Sequence, residues 1–239
     1  MTALERIKAG GVTVIATTGR PYPGALPWAQ KLGLDGPIIC YQGAEVRTPG
    51  GEKLLDHGIP HDLAIEVIDY ARHRNLHVHA YRDDQLIVER DRPEAHRYSE
   101  HAGMPIHLVP DLDAAMGPTT PKLVIVADPA ELEKRLPDAR SRWRGRLNVA
   151  TSTPDYLEFT NHNSDKAEAL KFLADRLGVP REQTSAAGDG RNDVSMIAWA
   201  GLGVAVQGSP DEVIQAAHGR TIALPGHGGI EQLANLLFR

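Results

Sequence analysis

Hydrophobic positions follow two different patterns along the chain. Toward both ends, short apolar runs without polar alternation (residues 12–16, 37–41 and 203–206) are separated by stretches with helical spacing. Uninterrupted apolar runs are typical of parallel strands that helices cover on both faces. The pattern therefore predicts an α/β fold built on a parallel sheet.

The pattern changes from about residue 57. An amphipathic helix is predicted over residues 62–74. Apolar and polar residues then alternate at positions 76–80 and 85–89, which is typical of half-buried antiparallel strands. A second set of elements follows, predicted as strand 122–127, helix 129–136 and strands 147–152 and 156–159.

This change of texture predicts a second domain inserted into the first. We place the inserted α+β domain at residues 57–155. The surrounding core domain then comprises residues 1–56 and 156–239.

Composition narrows the function classes. The chain has 239 residues, 41% hydrophobic and 24% charged, and a formal net charge of −5 without a long basic run. These values are ordinary for a globular enzyme and argue against nucleic acid or an anionic membrane as the main partner. Cys40 is the single cysteine, which excludes an internal disulfide, and its apolar neighbours predict a core thiol. We expect a cytoplasmic protein, and the oligomeric state stays open.

Candidate chemistry is densest in the segment Gly188-Asp189-Gly190-Arg191-Asn192-Asp193, between a predicted buried strand and a helix. Ligands of open parallel sheets bind at the carboxyl ends of strands. Two nearby carboxylates suit Mg²⁺, which takes one or two carboxylates together with phosphate oxygens. The alternative is an ordinary Asx turn.

Two further places carry candidate phosphate-binding groups. Thr18, Gly19 and Arg20 follow the predicted strand 12–16, and a hydroxyl, backbone amides and a guanidinium can together hold a phosphate. Lys166 lies in the first turn of a predicted helix, residues 167–177, where a cation opposes the helix dipole unless an anion lies nearby. The alternatives are an ordinary loop and a solvated lysine.

Helix ends are also readable from the sequence. Asn163 or Ser164 is predicted to cap helix 167–177, which should end at Gly178. Ser209 is predicted to cap a helix that has Pro210 at its first position.

Taken in order, these pieces resemble the haloacid dehalogenase-like phosphatases, and within them the Cof-type, type IIB capped hydrolases. The matching positions are Thr18-Gly19-Arg20, Gln42-Gly43-Ala44 where the family usually has Asn-Gly-Ala, Lys166, and residues 188–193 followed by Met196. The resemblance implies a Rossmann-like doubly wound parallel sheet with the inserted domain as an α+β cap.

The resemblance also implies a Mg²⁺-dependent phosphomonoesterase that works through an aspartyl-phosphate on a small substrate such as a sugar phosphate. By the same resemblance, Asp189 and Asp193 belong to the metal site, with Asp193 in the second shell or holding Lys166. Lys166 and Thr18 are the catalytic candidates. The expected substrate contacts are Thr18, Gly19, Arg20, Lys166 and Asn192.

One departure concerns the family's first motif, Asp-x-Asp-Gly-Thr, which carries the nucleophile. It does not occur in the sequence, and Asp111-Leu112-Asp113 is predicted to be a helix start instead. We expect the nucleophile to lie upstream of Met1. A smaller departure is Gln207-Gly208-Ser209, where the family usually has Gly-Asn-Ala.

Two other functions remain open at this point. One is a catalytically inactive family member that binds a phosphorylated ligand or a partner, and the other is a sugar phosphomutase-like phosphotransferase. His79, Tyr81 and Arg82 of the inserted domain are possible substrate contacts, although each fits an ordinary surface or strand residue better.

Overall fold

The computed structural model describes residues 2–151, 153–224 and 226–238. The contacts divide the chain into two compact units, which are described separately. The terminal unit comprises Met1–Thr17 and Asp165–Arg239, and the central unit comprises Thr18–Ser164. The contacts thus group residues 18–56 with the middle segment, and the boundaries of the inserted domain, residues 57–155, stay a prediction.

The terminal unit alternates strands and helices. Three of its strands form a parallel sheet within the described residues, in which Ala186 pairs with Gly203 and Val206 pairs with Ile222. Its strands are Ala16–Thr17, Ser185–Gly188, Leu202–Val206 and Thr221–Ile222. Its α-helices are Ala3–Ala9, Lys166–Leu177, Val194–Trp199, Asp211–Ala216 and Gly229–Leu237, with single 3₁₀ turns at Arg181–Gln183 and Arg191–Asp193.

The central unit contains more antiparallel structure. A six-stranded sheet, as far as the described residues go, has the order 147–150, 156–161, 123–126, 77–82, 85–88 and 106–108. Its other strands are Ile38–Cys40, Glu45–Arg47, Lys53–Asp56, Ile59–Pro60 and Thr119–Thr120. Its α-helices are Tyr22–Lys31, His61–Arg72, Pro93–Ala102, Leu112–Ala115 and Pro129–Arg142.

One face of the six-stranded sheet packs into the largest apolar cluster of the central unit. Leu123 and Ile125 lie in this cluster with Leu157 and Phe159 from the adjacent strand, and Trp143, directly after helix Pro129–Arg142, joins them. Burial of side chains of this size contributes about 1.5–3 kcal/mol each, so this cluster is a major source of stability for the unit.

The opposite face of the same sheet carries polar side chains among aliphatic ones, yet it is also buried. His77 is 4% exposed, His79 is fully buried and Tyr81 is 1% exposed. Their rings contact Tyr98, which lies on helix Pro93–Ala102, or one another. The antiparallel pairing predicted for strands 76–80 and 85–89 is confirmed, but their predicted half-burial is wrong, because this helix covers the polar face.

Several predicted elements differ from the observed ones for identifiable reasons. Residues 12–15 are not a strand and are half-buried or exposed, since β-branched residues favour extended backbone but a strand also requires ladder partners. Helix Tyr22–Lys31 was not predicted, because Pro23 and Pro27 conceal its helical character. Helix Pro93–Ala102 was also missed.

Two predicted helix caps are wrong and two predictions of helix ends are confirmed. Asp165, not Asn163 or Ser164, caps helix Lys166–Leu177, with its carboxylate accepting from the N–H groups of residues 167 and 168. Ser209 donates its hydroxyl to the Val206 carbonyl and caps nothing. Gly178 ends its helix in the left-handed region, and Asp111 caps Leu112–Ala115, as predicted.

The buried imidazole of His77 makes stability depend on pH. Burial lowers the pKa of His77 from 6.5 to about 4, with Glu94, Arg92 and Arg97 as the charges that face it. The unfolded chain therefore binds a proton between pH 6.5 and pH 4 that the folded chain does not. We therefore expect the free energy of unfolding to decrease as the pH is lowered from 6.5 to 4. For this group the decrease is at most about 1.4 kcal/mol per pH unit.

Urea denaturation at several pH values measures this slope. His77→Gln should make the slope shallower, whereas His162→Gln, at an exposed position, should leave it unchanged. An equal slope in the parent and in His77→Gln would contradict the prediction.

Candidate functional site

The terminal unit places Lys166 at the first position of helix Lys166–Leu177. Its side chain is 5% exposed, and its Nζ lies 2.6 Å from Oδ1 of Asp193. A cation at the N-terminal end of a helix is unfavourable unless an anion lies nearby, and the Asp193 carboxylate is that anion. The alternative of a solvated lysine is wrong.

The second oxygen of Asp193 organises the glycine-rich loop. Oδ2 accepts hydrogen bonds from the backbone N–H groups of Asp189 and Gly190, at 3.1 and 3.0 Å. A Cβ atom at Gly188 would lie 2.6 Å from the same oxygen, so only glycine fits there. Both oxygens of Asp193 are therefore engaged within the terminal unit, which favours its predicted role of holding Lys166 over that of a direct metal ligand.

Asp189 has the opposite environment. It is exposed, and its carboxylate has no hydrogen bond or ion pair with the described residues. Asn192, also exposed, lies in the same loop, with its Oδ1 near Gly190. The structure thus brings Lys166, Asp189, Asn192 and Asp193 together in one unit.

The donor chemistry of this loop fits a hard divalent ion. Mg²⁺ binds through one or two carboxylates and completes its shell with water and phosphate oxygens, so a single accessible carboxylate is a sufficient protein contribution from this loop. Within the described ranges, no group of three or more His, Cys, Asp or Glu side chains is arranged to hold a metal. The fit therefore rests on Asp189 and stays a prediction.

The central unit holds the other predicted group, Thr18, Gly19 and Arg20. The carbonyls of Thr18 and Arg20 accept hydrogen bonds from the backbone N–H groups of Gln42 and Tyr41, at 3.2 and 3.0 Å. The carbonyl of Gly19 accepts one from Nζ of Lys122 at 3.2 Å. All three carbonyls of this segment are therefore satisfied by donors of the central unit.

The hydrogen-bond donors of the same segment, unlike its carbonyls, are not all engaged within the described residues. Oγ1 of Thr18 accepts from the Arg20 N–H at 3.1 Å, which leaves its own proton for another acceptor. The Gly19 N–H has no acceptor among the described residues. A hydroxyl and an amide with protons to donate are the groups that a phosphate oxygen requires. Nη1 of Arg20 donates to the His101 carbonyl at 3.2 Å, which leaves other guanidinium N–H groups for a ligand.

Sequence reasoning missed a buried charge pair behind this segment. Nζ of Lys122 lies 3.0 Å from Oε1 of Glu158, and both side chains are nearly inaccessible, at 2% and 6% exposed. Burial alone lowers the pKa of Lys122, but Glu158 more than offsets this and raises the pKa above its ordinary value, so the lysine stays charged. A signal existed, since Glu158 lies between two apolar residues of a strand and Lys122 directly precedes the apolar strand Leu123–Val126.

The three residues of the inserted domain that were considered as substrate contacts differ in burial. His79 and Tyr81 are buried residues of strand His77–Arg82, so the strand alternative is confirmed for them and a surface position is wrong. Arg82 is exposed and donates to the Ala115 carbonyl. None of these positions identifies a substrate.

Comparisons with known proteins agree with this architecture. A profile described as haloacid dehalogenase-like hydrolase matches residues 1–228. The putative phosphatase YxeH of Bacillus subtilis is 28% identical over 95% of this chain and 86% of its own length. The 5-amino-6-(5-phospho-D-ribitylamino)uracil phosphatase YitU of the same organism is 27% identical over 98% of this chain and 88% of its own length.

A solved structure supports the fold directly. The crystal structure of a haloacid dehalogenase-like hydrolase from Bacteroides thetaiotaomicron superimposes with a TM-score of 0.88 at 28% identity, covering 99% of this chain and 90% of the other. The predicted fold class, a Rossmann-like α/β core with an inserted cap, is confirmed. No helix in the described part of the chain is long and apolar enough to cross a membrane.

The two aspartates of the glycine-rich loop should differ in their effect on stability. Asp193→Ala leaves a buried ammonium and two amide N–H groups without their acceptor, and we expect a loss of about 3–5 kcal/mol in the free energy of unfolding. Asp189→Ala removes an exposed carboxylate and should change the free energy of unfolding by less than about 0.5 kcal/mol. Urea denaturation of both variants measures this difference, and equal effects would refute the described loop geometry.

Proposed function

The chain belongs to the haloacid dehalogenase-like hydrolase family, and from this premise we propose that it is a Mg²⁺-dependent phosphomonoesterase of a small phosphorylated metabolite. Its relatives are named phosphatases, so the enzyme class is phosphatase. The observation that carries the proposal is the glycine-rich loop of the terminal unit. There, both oxygens of Asp193 are engaged by Lys166 and two amides, while the Asp189 carboxylate has no partner in the part of the chain that the structure describes.

Lys166 is proposed to bind a phosphoryl oxygen. An ammonium group has three N–H donors, and Asp193 accepts one of them. Because the pair is buried, the lysine side chain is already ordered and loses little conformational entropy when a ligand binds. Asn192 of the same loop is proposed to contact the phosphoryl group or to orient water.

Thr18 and Gly19 are proposed to bind phosphate through the hydroxyl and the backbone N–H, and Arg20 through its remaining guanidinium donors. Of these groups only Arg20 carries a formal charge. The uncharged donors therefore contribute more to the orientation of the phosphate than to its electrostatic attraction. Preorganised donors of this kind stabilise the charge that develops on transferring oxygens.

Asp189 is the residue proposed to hold Mg²⁺. When bound, the ion neutralises charge on the phosphoryl oxygens of the transferring group. The residues of this chain then bind the phosphate and keep it oriented.

The aspartyl-phosphate route that the resemblance implies is part of the proposal. The sequence 1–239 contains no Asp-x-Asp-Gly-Thr. Activity is therefore tested on the protein isolated from its own cells, using phosphate release from a panel of sugar phosphates and other phosphomonoesters. Transfer of phosphate between sugar positions without release would support a phosphomutase, and phosphate binding without turnover an inactive family member.

Replacing Asp189 by alanine should abolish Mg²⁺-dependent phosphate release, because the loop then offers no accessible carboxylate to the metal. A Mg²⁺ titration of initial rates measures this effect. Asp175→Ala, which removes an exposed aspartate of helix Lys166–Leu177, is the matched control and should retain activity. Unchanged Mg²⁺ dependence in Asp189→Ala would refute the metal assignment.

Replacing Lys166 by alanine should lower kcat/KM by about two or more orders of magnitude, because the main cation of the proposed phosphate site is lost. Exposed Lys171 of the same helix provides the control variant Lys171→Ala. Rates are compared at a temperature at which circular dichroism shows each variant folded. Full activity in folded Lys166→Ala would assign this lysine to stability alone.

A further inference from the structure

The buried Lys122–Glu158 pair has a third member, Gln42. Nε2 of Gln42 lies 3.2 Å from Oε2 of Glu158, while Lys122 occupies the other carboxylate oxygen. All three side chains belong to the central unit, and we call them the Glu158 cluster. Each carboxylate oxygen thus has its own donor, as a buried carboxylate requires.

The Glu158 cluster contacts the Thr18–Arg20 segment from two directions. Lys122 donates from its side chain to the Gly19 carbonyl, and Gln42 donates from its backbone to the Thr18 carbonyl. The amide of the Gln42 side chain also packs directly on Gly19, where a Cβ atom would lie 2.4 Å from Nε2. Gly19 is therefore enclosed by the cluster and cannot carry a side chain without displacing it.

Gln42 occupies an unfavourable backbone conformation to do this. Its φ is 62°, in the left-handed region that asparagine and glycine tolerate better than glutamine. Asparagine is one methylene shorter, so it would suit the backbone but fall short of the Glu158 carboxylate. The glutamine thus gives up local backbone stability and gains the contact with Glu158.

The charge pair is likewise not the most stable solution for an interior position. Two well-packed apolar residues often replace a buried ion pair without loss of stability, because desolvation of the charges offsets their attraction. Both members nevertheless converge on one short segment. That segment is the one whose hydroxyl and amide protons are proposed to bind phosphate.

We propose that Gln42, Lys122 and Glu158 are positioning residues for the phosphate-binding segment. They hold the carbonyls of Thr18 and Gly19 toward the interior of the central unit, which fixes the directions of the Gly19 N–H and the Thr18 hydroxyl. Lys122 and Glu158 do not touch the substrate. This inference rests on the proposed function, because it assigns the Thr18–Arg20 segment to phosphate binding.

The test combines two measurements on the full chain. Hydrogen–deuterium exchange of peptides that cover residues 16–24 reports the order of the segment, whatever its function. Isothermal titration with inorganic phosphate in the presence of Mg²⁺ reports its use in binding. The variants are Gln42→Asn, which shortens one contact but eases the backbone, and Lys122→Met, which removes the charge and keeps the length of the side chain.

Both variants should exchange faster over residues 16–24 than the parent. Phosphate affinity should fall about tenfold in Lys122→Met, because the segment loses the charge-assisted hydrogen bond that holds the Gly19 carbonyl, and less in Gln42→Asn. Affinity for Mg²⁺ alone should stay unchanged, which a general loss of stability would not allow. Lys134→Met, which replaces an exposed lysine on helix Pro129–Arg142 of the same unit, is the control and should change neither measurement.

The outcomes separate the inference from the proposed function. If Lys122→Met does not fold, Gln42→Asn decides the result, since its backbone is relieved. Unchanged exchange in the folded variants would overturn the positioning role. If the parent binds no phosphate, the proposed function fails and the positioning role for phosphate fails with it. If the variants exchange faster but bind phosphate as the parent does, the cluster is purely structural and the inference is overturned.

Discussion

A buried lysine ammonium beside a carboxylate is the interaction on which the site of the terminal unit depends. Without Asp193, Lys166 would carry an uncompensated charge at the end of a helix that repels it. Without Lys166, one oxygen of Asp193 would lose its strongest partner. The same carboxylate gathers the N–H groups of residues 189 and 190, so one side chain sets both the position of the cation and the shape of the loop. Asp189 is left accessible because Asp193 fulfils the structural role.

The central unit solves a similar problem with different residues. One face of its six-stranded sheet is apolar and the other carries histidines, tyrosines and a Lys–Glu pair, yet helix Pro93–Ala102 covers the polar face. Polar groups in such a place are stable only when each has a partner. Lys122 and Glu158 meet this requirement in each other, in Gln42 and in the carbonyl of Gly19. A stability requirement of the interior thereby becomes a constraint on a surface segment.

These two arrangements suggest a common principle for a phosphatase of this kind. Phosphate must meet cations and N–H groups that are already oriented, since donors that reorganise on binding lose much of their effect. In both units the groups proposed to meet phosphate are held by buried partners that do not themselves contact it. The buried positions of His79 and Tyr81 argue against direct contact of these two side chains with a substrate.

The sequence alone determined the family, the fold class and most elements, because strand and helix periodicity and short motifs at strand ends are local properties of the chain. It also identified Lys166 and the loop 188–193, since a cation at a helix start and paired acids near glycines are locally anomalous. Only the tertiary structure decided which carboxylate holds Lys166, because partners distant in sequence leave no local signal. It also showed that the alternating strand 77–82 is buried on both faces, since a pattern records polarity and not what covers it. The Glu158 cluster was likewise visible only in the tertiary structure, because residues 42, 122 and 158 are distant in sequence and meet only when the chain folds.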